Sequence, residues 1–346
     1  MTGARMVPRA PRRRGGGRLR GATRCRLRPR TYLAAAMLAG FILLAGGEGV
    51  SAQGSETLDF HALTREADGT GQLPELQPFQ ARDGTRLAYR AYPAQAGKDL
   101  ILLHGSAAHS AYLHPLAEAV RDAGVANVYV PDLRGHGPSP ERRGDIDYID
   151  QLQDDVADLM AHIRAQSDEQ RPLVLGGHSS GGGLALRIAG SEYGDEPAAY
   201  LLLAPYLGHD APTARDDSGW AEPGVGRIIT LSVLNTLGVQ WFNDTDVLWF
   251  NLPEAYRTGS ETLAYSYRLM TGINPEDYAA ELAAVDVPML VLVGSEDEAF
   301  RAEAFAPTIT AHAPGATVAT LDGLSHLGLI ASEAAAGRVV RWLEGL

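Results

Sequence analysis

The sequence is short of the residues that staple small folds or build metal centres. Of 346 residues only one, Cys25, is a cysteine. It lies in the Arg-rich N-terminus, so the rest of the chain makes no internal disulfide. A lipoprotein signal would place a cysteine after the apolar run, and Cys25 precedes it. Lysine is almost missing too, Lys98 being the only one. Neither a Cys/His cluster nor a phosphate-cradling glycine loop appears, so no metal and no organic cofactor is expected. Basic charge is scarce outside the leader. Residues 1–30 hold eleven arginines and no acid, and without residues 1–52 the chain keeps 19 basic against 41 acidic side chains, a net of −22. Such a body repels phosphate backbones, which argues against nucleic acid as a partner. What is present is ordinary globular composition, 45% apolar and 21% charged, with length enough for one large α/β domain carrying an insertion.

The leader continues as "TYLAAAMLAGFILLAGG", residues 31–47. This run is shorter than the ~20 residues that usually cross a bilayer. Val50-Ser51-Ala52 supplies small residues at the spacing of a signal-peptidase site. Residues 1–52 therefore read as a secretory signal peptide, or else as an uncleaved membrane anchor. Its basic region is long for a signal, which suits a start at Met6 or later. Both readings put the body outside the inner membrane: periplasmic, secreted, or tethered through the N-terminal segment. Residues 53–74 are polar and irregular and read as a linker.

From residue 75 the chain alternates strand and helix. Two strands over 76–94 flank an Asp83-Gly84 hairpin signal. Strands are predicted at 99–105, 126–132, 172–177, 198–205, 287–294 and 316–322, and helices at 110–123, 148–166, 181–190, 299–311 and 333–343. An opening antiparallel pair followed by repeated strand–helix units implies an α/β domain over 75–346: a mostly parallel sheet with helices on both faces. Residues 206–280 are too long for a simple crossover and read as an inserted, mainly helical cap.

The chemistry centres on "GGHSSGG", residues 176–182, between a strand and a helix. A serine nucleophile needs a base, a group to orient that base, and N–H donors for the oxyanion. In a G-x-S-x-G elbow the residues two before and two after the serine must be small, because strand and helix pass close together. Ser179 is flanked by Gly177 and Gly181. Ser180 would be flanked by His178 and Gly182, and the imidazole would collide. Ser179 is thus the candidate nucleophile, and the backbone N–H of Ser180, at the helix start, is one oxyanion donor. An ordinary turn with helix-capping serines is the competing reading. The loop "LLHGSAAHS", residues 102–110, offers the N–H of Ser106 as second donor, with His104 read as a buried structural histidine. Asp297 in "GSEDEAF" follows a strand at the sheet edge where such folds bind ligands, and is either the orienting acid or a helix cap. Glu296 and Glu298 stand by as alternative acids. His326 in "GLSHLG", between the last strand and last helix, is the candidate base.

These stretches, together with "PDLRGHGPS" at 131–139, resemble the α/β-hydrolase superfamily, and within it the group of monoacylglycerol lipases, lysophospholipases and serine-aminopeptidase-like enzymes. The motifs span about 230 residues in the superfamily's order. The resemblance implies an α/β-hydrolase fold and a structural, non-catalytic "DLRGHG" loop despite Asp132 and His136. Ser179 excludes members whose nucleophile is aspartate. The family's elbow usually carries a bulkier residue, often Met, where Ser180 stands, so the pocket here should be wider or more polar.

The cap is rich in Leu, Val, Trp and Phe. Trp220, Trp241, Trp249 and Phe250 are candidate contacts for an apolar acyl group, or else the small core that joins cap to body. Asp210, Asp216 and Asp217 are either a solvated loop or a site for a free amine. Three functions follow from different classes: a carboxylic-ester hydrolase acting on a small-molecule ester, a serine aminopeptidase or amidase, and a non-catalytic binding protein.

Overall fold

The computed structural model describes residues 58–60, 71–166, 169–215 and 219–346. The leader over residues 1–52, and Asp216 and Asp217, lie outside them.

Strands β1 (Leu76–Gln80) and β2 (Arg86–Tyr92) pair antiparallel around the expected turn, where Gly84 takes φ +87° and the Asp83 carboxylate accepts the Thr85 N–H at 2.9 Å. The next strands are β3 (Asp99–Leu103), β4 (Asn127–Asp132), β5 (Leu173–His178) and β6 (Ala199–Leu203). The insertion carries β7 (Ala221–Pro223), β8 (Asp246–Phe250) and β9 (Ala264–Ser266), and the chain returns through β10 (Met289–Gly294) and β11 (Thr317–Leu321). Eight strands form one sheet in the order β1-β2-β4-β3-β5-β6-β10-β11, and every pair from β4 to β11 is parallel. Parallel strands covered on both faces need apolar side chains on both sides. The runs DLILL, AYLLL and MLVLVG are accordingly buried at every position.

The helices are α1 (His114–Asp122), α2 (Gln151–Ala165), α3 (Ser180–Ala189), α4 (Val225–Thr236), α5 (Tyr267–Ile273), α6 (Tyr278–Ala284), α7 (Ala302–His312), α8 (Gly328–Ala331) and α9 (Glu333–Glu344). Helix α1 packs on α8 and α9, whereas α3 packs on α2, α5 and α6 and α6 packs on α7. Apart from α4 in the cap, the helices thus fall into two groups, one on each face of the sheet. The strand order runs outward in opposite directions from the β3/β5 boundary, which opens a crevice at the carboxyl ends of those strands.

Two expected helices start differently. The segment 110–123 opens as a 3₁₀ turn over Ser110–Leu113, with Pro115 at the start of α1. The helix expected from residue 299 starts at Ala302, because Asp297 ties the N–H groups of Ala299 and Phe300 into a turn. The cap, expected to be mainly helical, also contains the three-stranded antiparallel sheet β7-β8-β9. Its strands are three to five residues long, too short for periodicity to separate from helix. The outer side of α4 exposes Val225, Ile229, Val233 and Leu237, one per turn.

Candidate active site

Strand β5 ends in a turn at Ser179, which holds φ +55° and ψ −122°. A non-glycine residue with positive φ is strained, and such strain is kept where the surrounding structure imposes it. Here the glycines impose it. A Cβ on Gly177 would lie 2.3 Å from the Gly181 carbonyl, and one on Gly181 would lie 2.2 Å from the Leu103 carbonyl oxygen. The small-residue rule that picks Ser179 over Ser180 thus has its steric cause in backbone atoms, which cannot rotate away. Gly181→Ala should cost about 3 kcal/mol through this overlap. Thermal unfolding would show it as a drop of several degrees, while Gly315→Ala, where no atom lies within 4 Å of the new carbon, should leave the midpoint unchanged.

Behind the elbow, His326 and Asp297 meet. Both are buried, at 2% and 1% exposure, and the His326 Nδ1–H donates to Asp297 Oδ2 at 2.8 Å. The other carboxylate oxygen accepts the N–H groups of Ala299 and Phe300 at 2.9 and 2.8 Å. One oxygen of Asp297 thus holds a turn and the other the ring; the helix-cap reading is corrected, because the N-cap of α7 is Arg301. Arg215, from the root of the cap, donates to the carbonyls of Asp297 and Phe300 at 2.9 and 3.0 Å and fixes the same loop. Of the alternative acids, Glu296 is exposed, while Glu298 accepts the backbone N–H of His326 at 2.9 Å.

His178 connects the elbow to the base. Its Nε2–H donates to the His326 carbonyl at 3.0 Å, and its Nδ1 accepts from the Tyr112 hydroxyl. The two imidazoles lie with centroids 4.4 Å apart. Ser179 is thus the residue next to the side chain that pins the base's backbone. Neither His178 nor Tyr112 was singled out for this part. Sequence offers His178 only as the flank that would collide if Ser180 were the nucleophile.

The candidate oxyanion loop follows β3. The Ser106 and Ser180 hydroxyls share a hydrogen bond of 2.5 Å, which ties the loop to the first residue of α3. As that first residue, Ser180 has no carbonyl within the helix for its N–H. A Cβ on Gly105 would touch that of Ser179 at 3.1 Å, so this loop passes directly beside the elbow. His104 donates through Nδ1 to the Gly105 carbonyl at 2.9 Å and accepts the Leu133 N–H through Nε2 at 3.1 Å. Both of its nitrogens are occupied by backbone, as a structural histidine requires. His136 and Asp132 are structural as well. Asp132 accepts the Ser110 N–H at 2.7 Å, and His136 Nε2 accepts from the Tyr265 hydroxyl at 2.6 Å. Tyr265, from the cap strand β9, in turn accepts the Ala107 N–H at 3.0 Å.

Proton affinity separates His326 from its neighbours. Burial drives His104 down to about 4, and burial together with a neighbouring imidazole holds His136 and His178 well below the ordinary value. Burial acts the same way on His326, but the Asp297 carboxylate, with Glu298 behind it, outweighs it and raises this pKa. A base works deprotonated, so a raised pKa moves its acid limb upward. With His326 as base, the acid limb of kcat/KM should therefore lie above the ordinary histidine value of about 6.5, since His104, His136 and His178 around it are held below that value. A limb at or below pH 6 would contradict this.

The cap candidates divide. Trp220 stacks at 5.5 Å on Phe250, and Phe250 meets Tyr265 edge-on at 4.7 Å, so these two belong to an aromatic row that leads to the oxyanion loop. Trp249, next to Phe250 on β8, faces the other side of the strand, beneath the Arg227 guanidinium 5.3 Å from its ring. Trp241 is 86% exposed beyond the end of α4. Trp249 and Trp241 thus stand apart from that row, one by strand alternation and the other in the turn after the helix. Asp210 is exposed on its loop.

The chain matches the family described as serine aminopeptidase, S33, over residues 94–331. It is 24% identical to the non-heme chloroperoxidase CPO-A1 of Kitasatospora aureofaciens over 261 residues, 71% of this chain and 90% of that protein. It is 33% identical to the lipase LipV of Mycobacterium tuberculosis over 118 residues, 34% of this chain and 41% of that one. Its fold is similar to a soluble variant of monoglyceride lipase from Saccharomyces cerevisiae, solved with a substrate analog, at TM-score 0.59 and 18% identity, over 80% of this chain and 96% of that one. With its mostly parallel sheet, elbow and buried imidazole–carboxylate pair in place, the chain belongs to the serine aminopeptidase, S33 family of α/β-fold hydrolases.

Proposed function

We propose that the protein cleaves carboxylic esters with an apolar acyl group through Ser179, His326 and Asp297. The observation that carries this reading is the buried His326–Asp297 pair, whose 2.8 Å bond fixes the proton on Nδ1 and leaves Nε2 as the base. In this reading Ser179 Oγ attacks the ester carbonyl as His326 Nε2 takes its proton. The N–H groups of Ser106 and Ser180 receive the oxyanion, and His326 returns the proton to the leaving alcohol. Water, activated by the same nitrogen, then releases the acid from the acyl-enzyme. No metal or organic cofactor enters these steps.

An acyl group suits the aromatic row in the cap, and the lipase and monoglyceride lipase among the similar proteins support an ester. The apolar stripe on α4, with Trp241 and Phe242 after it, suits a substrate drawn from a lipid phase. The leader adds export, as a cleaved signal or a membrane tether. Aminopeptidase activity is the second reading, favoured by the family's description. A panel of p-nitrophenyl esters against aminoacyl p-nitroanilides, with a fluorophosphonate probe, tests the proposal. Ester turnover and probe labelling of Ser179 are expected. Turnover of anilides alone would replace the ester reading, and absence of labelling would leave a binding protein.

A further inference from the structure

The sequence reads residues 53–74 as a linker, and the family match begins only at residue 94. Yet Leu58 and Phe60 are buried, at 6% and 7% exposure, and both join the main core. We propose that this segment is a wall of the substrate site, with Phe60 closing the cap end of the pocket and limiting the acyl length it accepts. The inference rests on the ester-hydrolase reading and adds a specificity residue to it.

Two sets of contacts place the segment. On one side the Asp59 N–H donates to Glu298 Oε1 at 2.6 Å, while Glu298 Oε2 accepts the His326 N–H at 2.9 Å. One carboxylate thus binds the backbone of the candidate base and the backbone of the segment together. On the other side the Phe60 ring lies 5.6 Å from Trp220 and 5.1 Å from Tyr256, both in the cap. Trp220 continues the row through Phe250 to Tyr265, whose hydroxyl holds the N–H of Ala107, the residue after Ser106. The segment therefore touches the base's loop at one residue and, at the next, the far end of the aromatic row from the oxyanion loop. Consecutive residues advance the chain by under about 4 Å, so the cap aromatics and the His326 loop approach one another closely at this point. An acyl chain leaving Ser179 along the row would meet Phe60.

Glu298 explains why the segment stays there. Its carboxylate is committed to two backbone N–H donors, so the contact survives any side chain at residue 59. The apolar anchors on either side then fill their places by burial, which contributes about 25 cal/mol per Å² of apolar surface removed from water.

The test is the acyl-length profile of kcat/KM over p-nitrophenyl esters from acetate to palmitate, for wild type, Phe60→Ala and Phe60→Trp. Phe60→Ala should move the optimum to longer chains by at least two methylenes and raise the long-to-short ratio about tenfold, each buried methylene being worth about 0.8 kcal/mol. Phe60→Trp should move it the other way. Fluorophosphonate labelling of Ser179 in each variant shows that it folds with the nucleophile in place. An unchanged profile in both variants, with Ser179 still labelled, overturns this inference and leaves the hydrolase reading intact. If the wild type turns over no ester, both fall together. A lowered melting temperature without a shifted profile would mark Phe60 as a packing residue and also overturn the proposal.

Discussion

Ser179→Ala is expected to lower ester turnover by about 10⁴- to 10⁶-fold and to abolish fluorophosphonate labelling, with no loss of stability. In the proposed mechanism the hydroxyl is the only atom that forms the covalent bond, so the effect should fall on kcat. Binding through the cap should persist, leaving KM within a few-fold. Stability should hold because alanine meets the same φ of +55° as serine, and that strain is set by the glycines around it rather than by the hydroxyl. Ser180→Ala is the matched control. It removes the bond to the Ser106 hydroxyl but keeps the backbone N–H proposed to serve the oxyanion, so it should cost roughly tenfold or less. Ser180→Ala as damaging as Ser179→Ala would reverse the choice between the two serines.

The position of the elbow was legible in the sequence because it rests on sterics that depend on residue type alone. Gly177 and Gly181 are demanded by backbone atoms, and the pattern G-x-S-x-G records that demand. The buried strands were legible for a similar reason, since a parallel strand covered on both faces must be apolar throughout. The cap was less so. Its strands are too short for a period to show, and Trp249 and Phe250 differ in role only because neighbouring residues of β8 face opposite ways. Composition could mark the cap as aromatic without saying which ring faces inward. The parts played by Glu298 and residues 58–60 were not legible at all. They depend on one carboxylate linking segments 239 residues apart, and pairing over that distance leaves no local pattern. Tyr265 was missed for the same reason, its hydroxyl reaching 158 residues back to Ala107.

Asp297→Asn should be nearly as damaging as loss of the nucleophile, at about 10⁴-fold in kcat, although it changes one oxygen to an NH₂. The surroundings decide which way the amide faces. Oδ1 of Asp297 accepts two backbone N–H groups at 2.9 and 2.8 Å, and an amide nitrogen placed there would point donors at donors. The asparagine must therefore keep its oxygen on the backbone and turn its NH₂ toward His326. The ring can meet that donor only by giving up the proton on Nδ1 and carrying it on Nε2, the nitrogen that should take the proton from Ser179. The base is then in the wrong tautomer at every pH where it is neutral. The charge effect adds to this. Burial already acts to lower the pKa of His326, and the carboxylate that overcomes it is gone, so the remaining activity should show its acid limb at lower pH than wild type. Glu296→Gln is the control, an exposed neighbour of the same charge that touches neither partner and should cost less than a factor of two. Asp297→Asn retaining a tenth or more of wild-type kcat would show that another group orients the imidazole, and Glu298 would be the first to examine.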